Sequence, residues 1–261
     1  MSRHRQGRNM TTVVAFCVLS VAALGGIAGF QLVGHPTGTA SDSAEHTSSV
    51  RSLLATDTGT PPGLPTATPT TEAPKPLHQG SSGSGVAELQ HRLAALGYQS
   101  RKQTGSFDSE TAHAVTAFEK LNGLPADGVA GPAVLDALDH SAVPRQRHPH
   151  AGLAVEVDLA RQVAVVFQDG VVKRIYDVCT GKPTMPTPTG EFAVKYKING
   201  MHHAPLGPMW RPVYFNYDGF AFHGAEPVLT TPSSHGCVRM TDPAMDELFA
   251  MLTPGVPVTI Y

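Results

Sequence analysis

The apolar side chains of this chain change their spacing between residues 140 and 153, from the three-to-four-residue period of a helix to the two-residue period of a strand. That change rules out one continuous architecture. It predicts a multidomain chain: a small all-α three-helix domain over residues 80–140, a short linker over 141–152, and a mainly antiparallel β domain with one short helix over 153–261. In the first domain Val86, Leu89, Leu93 and Leu96 share one helical face, and Gly97 stops it. A second helix starts near Phe107-Asp108-Ser109, buries Ala114, Val115, Phe118 and Leu121, and ends at Asn122-Gly123. Pro132 suits the first turn of a third helix carrying Val134, Leu135 and Leu138.

Beyond Leu153, the residues Val155, Val157 and Leu159 repeat at the strand period, as do Val163, Val165 and Phe167. Asp169-Gly170 then marks a hairpin whose partner strand runs through Val172, Arg174, Tyr176 and Val178. Phe192, Val194 and Tyr196 mark another strand, and at least one more lies between Tyr214 and His223. Asp242-Pro243 reads as the cap of a short helix bearing Met245, Leu248, Phe249 and Leu252, and Val256 to Tyr261 as a closing strand.

The start of the chain has a different character. Arg3, Arg5 and Arg8 precede an apolar stretch from Met10 to Val33, so residues 1–34 read as a cytoplasmic basic start with a membrane anchor or signal segment. Basic residues on that side place the remainder outside, with the inner membrane as one partner. Residues 35–79 are rich in Thr, Pro, Ser, Ala and Gly and bury too little apolar surface to order, so they are expected to act as a tether. Its mean reach is on the order of 40 Å. The formal net charge of -2 gives no footprint for nucleic acid, which is excluded as a partner; no oligomeric state is implied.

The chemistry concentrates near the C-terminus. Cys17 falls in the apolar segment, leaving Cys179 and Cys237 in the globular part. Cys237 stands in Pro232-Ser233-Ser234-His235-Gly236-Cys237-Val238-Arg239-Met240, and His223-Gly224 lies twelve residues before His235. A thiol attacks as thiolate, and a neighbouring imidazole can take its proton and return it to a leaving amine. Gly236 allows a sharp turn with backbone N–H groups aimed at an oxyanion. These residue types leave three readings open: a cysteine acyltransferase, a metal site of His223, His235 and Cys237, or a structural buried thiol. Two cysteines in an exported chain also permit a Cys179–Cys237 disulfide.

The helical segment resembles the type 1 peptidoglycan-binding domain family. The resemblance rests on Gly85-Val86, Leu89-Gln90, Leu96-Gly97-Tyr98, Phe107-Asp108, Ala114-Val115, Gly123-Leu124 and Asp127-Gly128-Val129 with Gly131. It implies a module that docks on the cell wall. Residues 153–261 resemble the YkuD-type L,D-transpeptidase catalytic domain through Glu156-Val157-Asp158-Leu159, Cys179-Thr180-Gly181, Thr187-Pro188-Thr189-Gly190-Glu191-Phe192, Phe222-His223-Gly224 and Ser234-His235-Gly236-Cys237-Val238-Arg239-Met240.

The second resemblance implies Cys237 as nucleophile, His223 as proton acceptor and donor, His235 as the residue that orients the site, and an oxyanion hole from the backbone around Gly236. Arg239, Trp210, Tyr214 and Gly224 become substrate-contact candidates, with Met201 to Trp210 bordering the groove. No metal and no cofactor are implied. The implied reaction joins two peptidoglycan stem peptides, donor and acceptor, in a 3→3 cross-link through a thioester, releasing D-alanine. L,D-carboxypeptidase action and a non-catalytic wall-binding scaffold are the alternatives. The implied location is the bacterial cell envelope, facing outward, either membrane-anchored or secreted. Against the family pattern, Cys179 stands where Ser is common, and the short His223–His235 interval implies a reduced lid.

Overall fold

The computed structural model describes residues 75–99 and 103–261. The expected membrane or signal segment and nearly all of the expected tether lie outside the described residues. Among the described residues, no helix is long and apolar enough to cross a membrane.

Three helices form the first module: α1 (Ser84–Ala95), α2 (Ser109–Asn122) and α3 (Pro132–His140). Asp108 caps α2 by accepting from Thr111 N at 2.8 Å, and Gly123 closes it in the left-handed conformation at φ 69. Pro132 occupies the first turn of α3. Val86, Leu89, Leu93, Val115 and Phe118 are buried between them.

The second module holds two sheets and a helix. In the first sheet β3 (Val171–Asp177), β2 (Val163–Gln168), β1 (Leu153–Asp158), β10 (Pro257–Ile260) and β4 (Gly190–Ala193) lie side by side in that order. The second runs β5 (Tyr196–Lys197), β7 (Gly207–Tyr214), β8 (Ala221–Gly224), β9 (Val238–Met240), with β6 (Met201–Ala204) also paired to β7. The segment Tyr214 to His223, expected to hold strand, contains the end of β7, the β7–β8 turn and most of β8, and Met201 to Trp210 is itself a hairpin. Two pairings depart from the antiparallel pattern: β1 with β10 and β8 with β9 are parallel. Helix α4 (Asp242–Met251) follows β9, and its cap is Thr241 rather than Asp242, because Thr241 Oγ1 accepts from Ala244 N. Val157, Val166, Tyr176, Phe222, Val238, Met240, Met245 and Leu248 lie in one core drawn from both sheets and α4.

Strand β2 is apolar on both faces. Ala164 and Val166 enter that core, while Val163, Val165 and Phe167 enter the core of the helical module together with Ile175 of β3. A strand covered on both sides reads as a near-continuous apolar run, which is what Val163 to Phe167 is. The backbone joins the modules as well. Ile175 N donates to Gly97 O at 2.8 Å and Gln99 N to Ile175 O at 3.1 Å, so the helical module covers the exposed edge of β3. Gly97 is at φ 91, and a side chain there would meet Val172 Cγ1 at 2.9 Å. The 141–152 segment lies on the β domain, where the buried Glu156 carboxylate accepts from Arg147 N and His148 N at 3.1 and 2.7 Å.

An ion pair is buried at this junction: Lys120 Nζ of α2 reaches Asp177 Oδ1 at 2.5 Å, and His113 Nδ1 reaches Asp177 Oδ2 at 2.7 Å. Removing one partner strands the other charge without water. Asp177→Ala is therefore expected to lower stability by about 3–5 kcal/mol, read by urea denaturation; a loss near zero would contradict a dry, paired Lys120.

Candidate active site

The parallel pairing of β8 with β9 sets Phe222 opposite Val238, His223 opposite Arg239 and Gly224 opposite Met240. Cys237 immediately precedes β9, so thiol and imidazole come from neighbouring strands. With His235 and Arg239 they line one cavity of about 240 Å³. Its apolar wall includes Met185, Leu206, Met209 and Phe220, and Asp218 adds a carboxylate.

His223 is buried, at 3% exposure, on a fully buried strand. Its Nδ1 lies 2.9 Å from Gly224 O. A carbonyl only accepts, so Nδ1 carries the proton and Nε2 remains the basic atom. Burial, opposed by that hydrogen bond and reinforced by the Arg239 charge, pulls the imidazole down to about 4, so it is neutral at pH 7. Burial pushes the Cys237 thiol up, against a backbone contact with Ala221 and the Arg239 charge, which favour the thiolate. The resting pair is therefore neutral thiol and neutral imidazole.

Side chains shape the loop around Cys237. Ser234 Oγ donates to Cys237 O at 2.6 Å and accepts from Gly236 N at 3.1 Å. Thr187 Oγ1 donates to Gly236 O at 2.8 Å and accepts from Gly181 N at 2.9 Å. Gly181 has no room for a side chain, because a Cβ there would stand 2.3 Å from Met185 O. Gly236 is at φ 109, and a Cβ would stand 2.5 Å from Phe220 Cε1. Two polar atoms on the cavity-lining residues, His235 Nδ1 and Arg239 Nε, are buried without a hydrogen-bond partner.

The expected site residues divide into two groups. Cys237, His223, His235 and Arg239 meet at the cavity, and Gly236 shapes its loop. Tyr214 is buried beside it, packed with Met209, Ala221 and Cys237 and stacked on Tyr196 at 4.4 Å. Trp210 and Gly224 do not line it. Trp210 Nε1 donates to Asp246 Oδ1 of α4 at 2.8 Å, which corrects the expectation that it borders the groove. A Cβ on Gly224 would stand 2.3 Å from Asp242 Oδ1, so this glycine permits close strand–helix approach. Successive residues of β7 point to opposite faces, so Met209 faces the cavity and Trp210 faces α4.

Among the described residues Cys179 and Cys237 are both free thiols: Cys179 is buried, with Sγ 3.0 Å from Ser233 Oγ and 3.3 Å from Thr231 O. The alternative metal set is not assembled; among the described residues no group of three or more His, Cys, Asp or Glu side chains could hold an ion. Of the Met201–Trp210 segment, Ala204 and Leu206 to Met209 line the cavity, whereas Met185, Asp218 and Phe220 as lining residues and Ser234 and Thr187 as loop anchors were not foreseen. Ser234 and Thr187 stood inside the recognised motifs, whereas Asp218 and Phe220 fall in the Tyr214–His223 stretch, which carries a strand signal and no motif.

The family comparisons agree with this geometry. Residues 153–260 match the YkuD family, the L,D-transpeptidase catalytic domain, and residues 82–138 match a peptidoglycan binding domain. The crystal structure of an L,D-transpeptidase from Xylanimonas cellulosilytica DSM 15894 is 39% identical, with a TM-score of 0.69, over 73% of this chain and 99% of that one. The chain belongs to the L,D-transpeptidase family. A second L,D-transpeptidase structure, from Stackebrandtia nassauensis, is 27% identical over 71% of this chain and 94% of that one, with a TM-score of 0.44. A curated relative, the N-acetylmuramoyl-L-alanine amidase CwlL of Bacillus licheniformis, is 45% identical over 64 residues, or 24% of this chain. The chain spans only 18% of that relative's length.

The fit around Gly236 in this L,D-transpeptidase domain leads to a measurable expectation. Gly236→Ala combines a positive-φ conformation with overlap against Phe220, and is expected to cost about 1–3 kcal/mol in urea denaturation. A variant as stable as wild type would show that the loop has slack.

Proposed function

We propose that this chain is a peptidoglycan L,D-transpeptidase that forms 3→3 cross-links through a thioester on Cys237. The observation that carries the reading is the β8–β9 register, which brings His223 and the Cys237 loop to one cavity. Family membership supports the reaction class, and the peptidoglycan binding domain supports peptidoglycan as substrate.

In the first step Cys237 Sγ attacks the carbonyl carbon of the third residue of a donor stem. Its proton passes to His223 Nε2, and the carbonyl electrons collect on oxygen. Gly236 N–H is engaged by Ser234 Oγ, which leaves the amides of His235 and Cys237 as oxyanion donors. Collapse breaks the C–N bond to D-alanine, and the imidazolium returns its proton to the leaving amine. In the second step a side-chain amine of another stem attacks the thioester. Its proton goes to His223, the C–S bond breaks, and the sulfur regains a proton. Arg239 is suited to a substrate carboxylate, and His235 Nδ1 to a substrate polar group, since neither buried nitrogen has a protein partner. Water in place of the amine gives L,D-carboxypeptidase action at the same site.

The helical module would hold the enzyme on its polymeric substrate. The membrane or signal segment expected before residue 35 would place the work outside the cytoplasm, in the cell envelope.

Incubation of wild-type protein with donor and acceptor stems is expected to yield cross-linked dimers by muropeptide analysis, and Cys237→Ala none. Trimmed tripeptides without dimers would favour the carboxypeptidase, and cross-linking by Cys237→Ala would overturn both. The depressed His223 value sets a pH signature for acylation by a carbapenem, followed by intact mass. A base works only while unprotonated, so the rate is expected to hold a plateau from pH 7 to about 5 and fall towards about 4. A fall centred near 6.5, the ordinary histidine value, would contradict a buried neutral base.

A further inference from the structure

Gln162 is out of place by the ordinary rules of a tight turn. It closes the β1–β2 turn at φ 55, a conformation in which glycine is at ease and a long side chain is rare. It is also buried, at 3% exposure. Its side chain is fully used: Nε2 donates to Leu159 O at 2.7 Å and to Thr180 Oγ1 at 2.6 Å, and Oε1 accepts from Thr180 N at 2.8 Å. Strain kept at a buried polar residue marks a conformation that the surroundings over-determine.

What Gln162 holds leads to the nucleophile. Thr180 O accepts from both Ser233 N and Ser234 N at 3.0 Å. Ser234, wholly buried, then bonds Cys237 O and Gly236 N. On the other side, Gln162 O accepts from Val178 N at 3.1 Å and from Lys120 Nζ of helix α2 at 3.3 Å. Lys120 itself is anchored by Asp177. The Gln162–Thr180 and Ser234–Gly236 bonds are buried and the Lys120–Gln162 and Ser234–Cys237 bonds part-buried, so geometry is enforced because an unmade bond is costly.

We propose that Gln162 is a positioning residue for Cys237, acting through Thr180 and Ser234, and that Lys120 extends this support into the helical module. The helical module is then part of the scaffold of the reaction centre as well as a wall anchor. The inference deepens the transpeptidase reading and rests on it for the acylation measurement alone.

Gln162→Gly tests it, since glycine accepts the backbone conformation and deletes only the side-chain bonds. Two quantities are read on full-length protein that urea denaturation shows to be folded. One is the rate of carbapenem acylation by intact mass. The other is the pH midpoint of iodoacetamide alkylation at Cys237, followed on its peptide by mass spectrometry. A loosened loop admits water to a sulfur whose ionisation is suppressed by burial. The midpoint is therefore expected to move down by about one pH unit while acylation slows by about tenfold or more. General destabilisation alone would not lower the midpoint of a folded protein and slow acylation together. A folded Gln162→Gly variant with the wild-type midpoint overturns the proposal, whatever its acylation rate.

If wild type itself resists the carbapenem, the transpeptidase reading fails and the midpoint alone still decides the role of Gln162. If Gln162→Gly does not fold, Thr180→Val, which lacks the hydroxyl, is expected to shift the midpoint. Thr180→Ser, which keeps it, is expected to restore the wild-type value. Equal midpoints for the two overturn the proposal.

Discussion

Side-by-side parallel pairing of two short strands is the constraint on which this site depends. β8 is four residues long and buried throughout, and β9 is three. Their register sets His223 against Arg239, one residue removed from the sulfur's neighbour Val238. A side chain on a loop would have to be ordered at an entropic cost each time it met the thiol. Here strand backbone has met that cost during folding. The same burial makes His223 a neutral imidazole whose Nδ1 is committed to Gly224 O, leaving Nε2 as the one nitrogen able to receive a proton.

A second constraint surrounds the first. The loop bearing Cys237 has no regular structure until β9, yet almost every turn of it is tied to a buried partner. Ser234 and Thr187 bind its carbonyls, Thr180 binds its amides, and Phe220 fills the space beside Gly236. Thr180 follows β3, and the outer face of β2 and β3 is covered by the helical module. Domain packing, edge protection of β3 and order in the reactive loop are thus contributions of one continuous structure. Mechanically the helical module behaves as a wall of the catalytic domain more than as a bead on a string.

Much of this was legible in the residues. The three helices follow from periodicity and from Asp108, Gly123 and Pro132, and the Asp169-Gly170 hairpin from local turn chemistry. Cys237, His223, His235 and Arg239 share a cavity, as the Ser-His-Gly-Cys motif and its upstream His-Gly suggested. The features that escaped are non-local. Parallel registers are decided by residues far apart in the chain, so β1 with β10 and β8 with β9 left no short-range sign. Trp210 was read by residue type, but strand alternation and Asp246 decide which face it takes. Docking of the helical module did have a signal: Ala164 and Val166 are as apolar as the Val163, Val165 and Phe167 they separate, and a strand apolar on both faces needs two cores. Gln162 could not be singled out, because its significance lies in a backbone conformation and in partners as distant along the chain as Thr180 and Lys120.

The chemistry of the site turns on the protonation state of the His223 imidazole. Nitrogen-detected NMR titration of isotope-labelled histidine, with His223 assigned by its absence in His223→Gln, reads that state without any substrate. The expected result is a neutral ring protonated at Nδ1, titrating near pH 4. A ring protonated at Nε2, or one that titrates near 6.5 like a solvated histidine, would contradict a buried neutral base in the cavity it shares with Cys237.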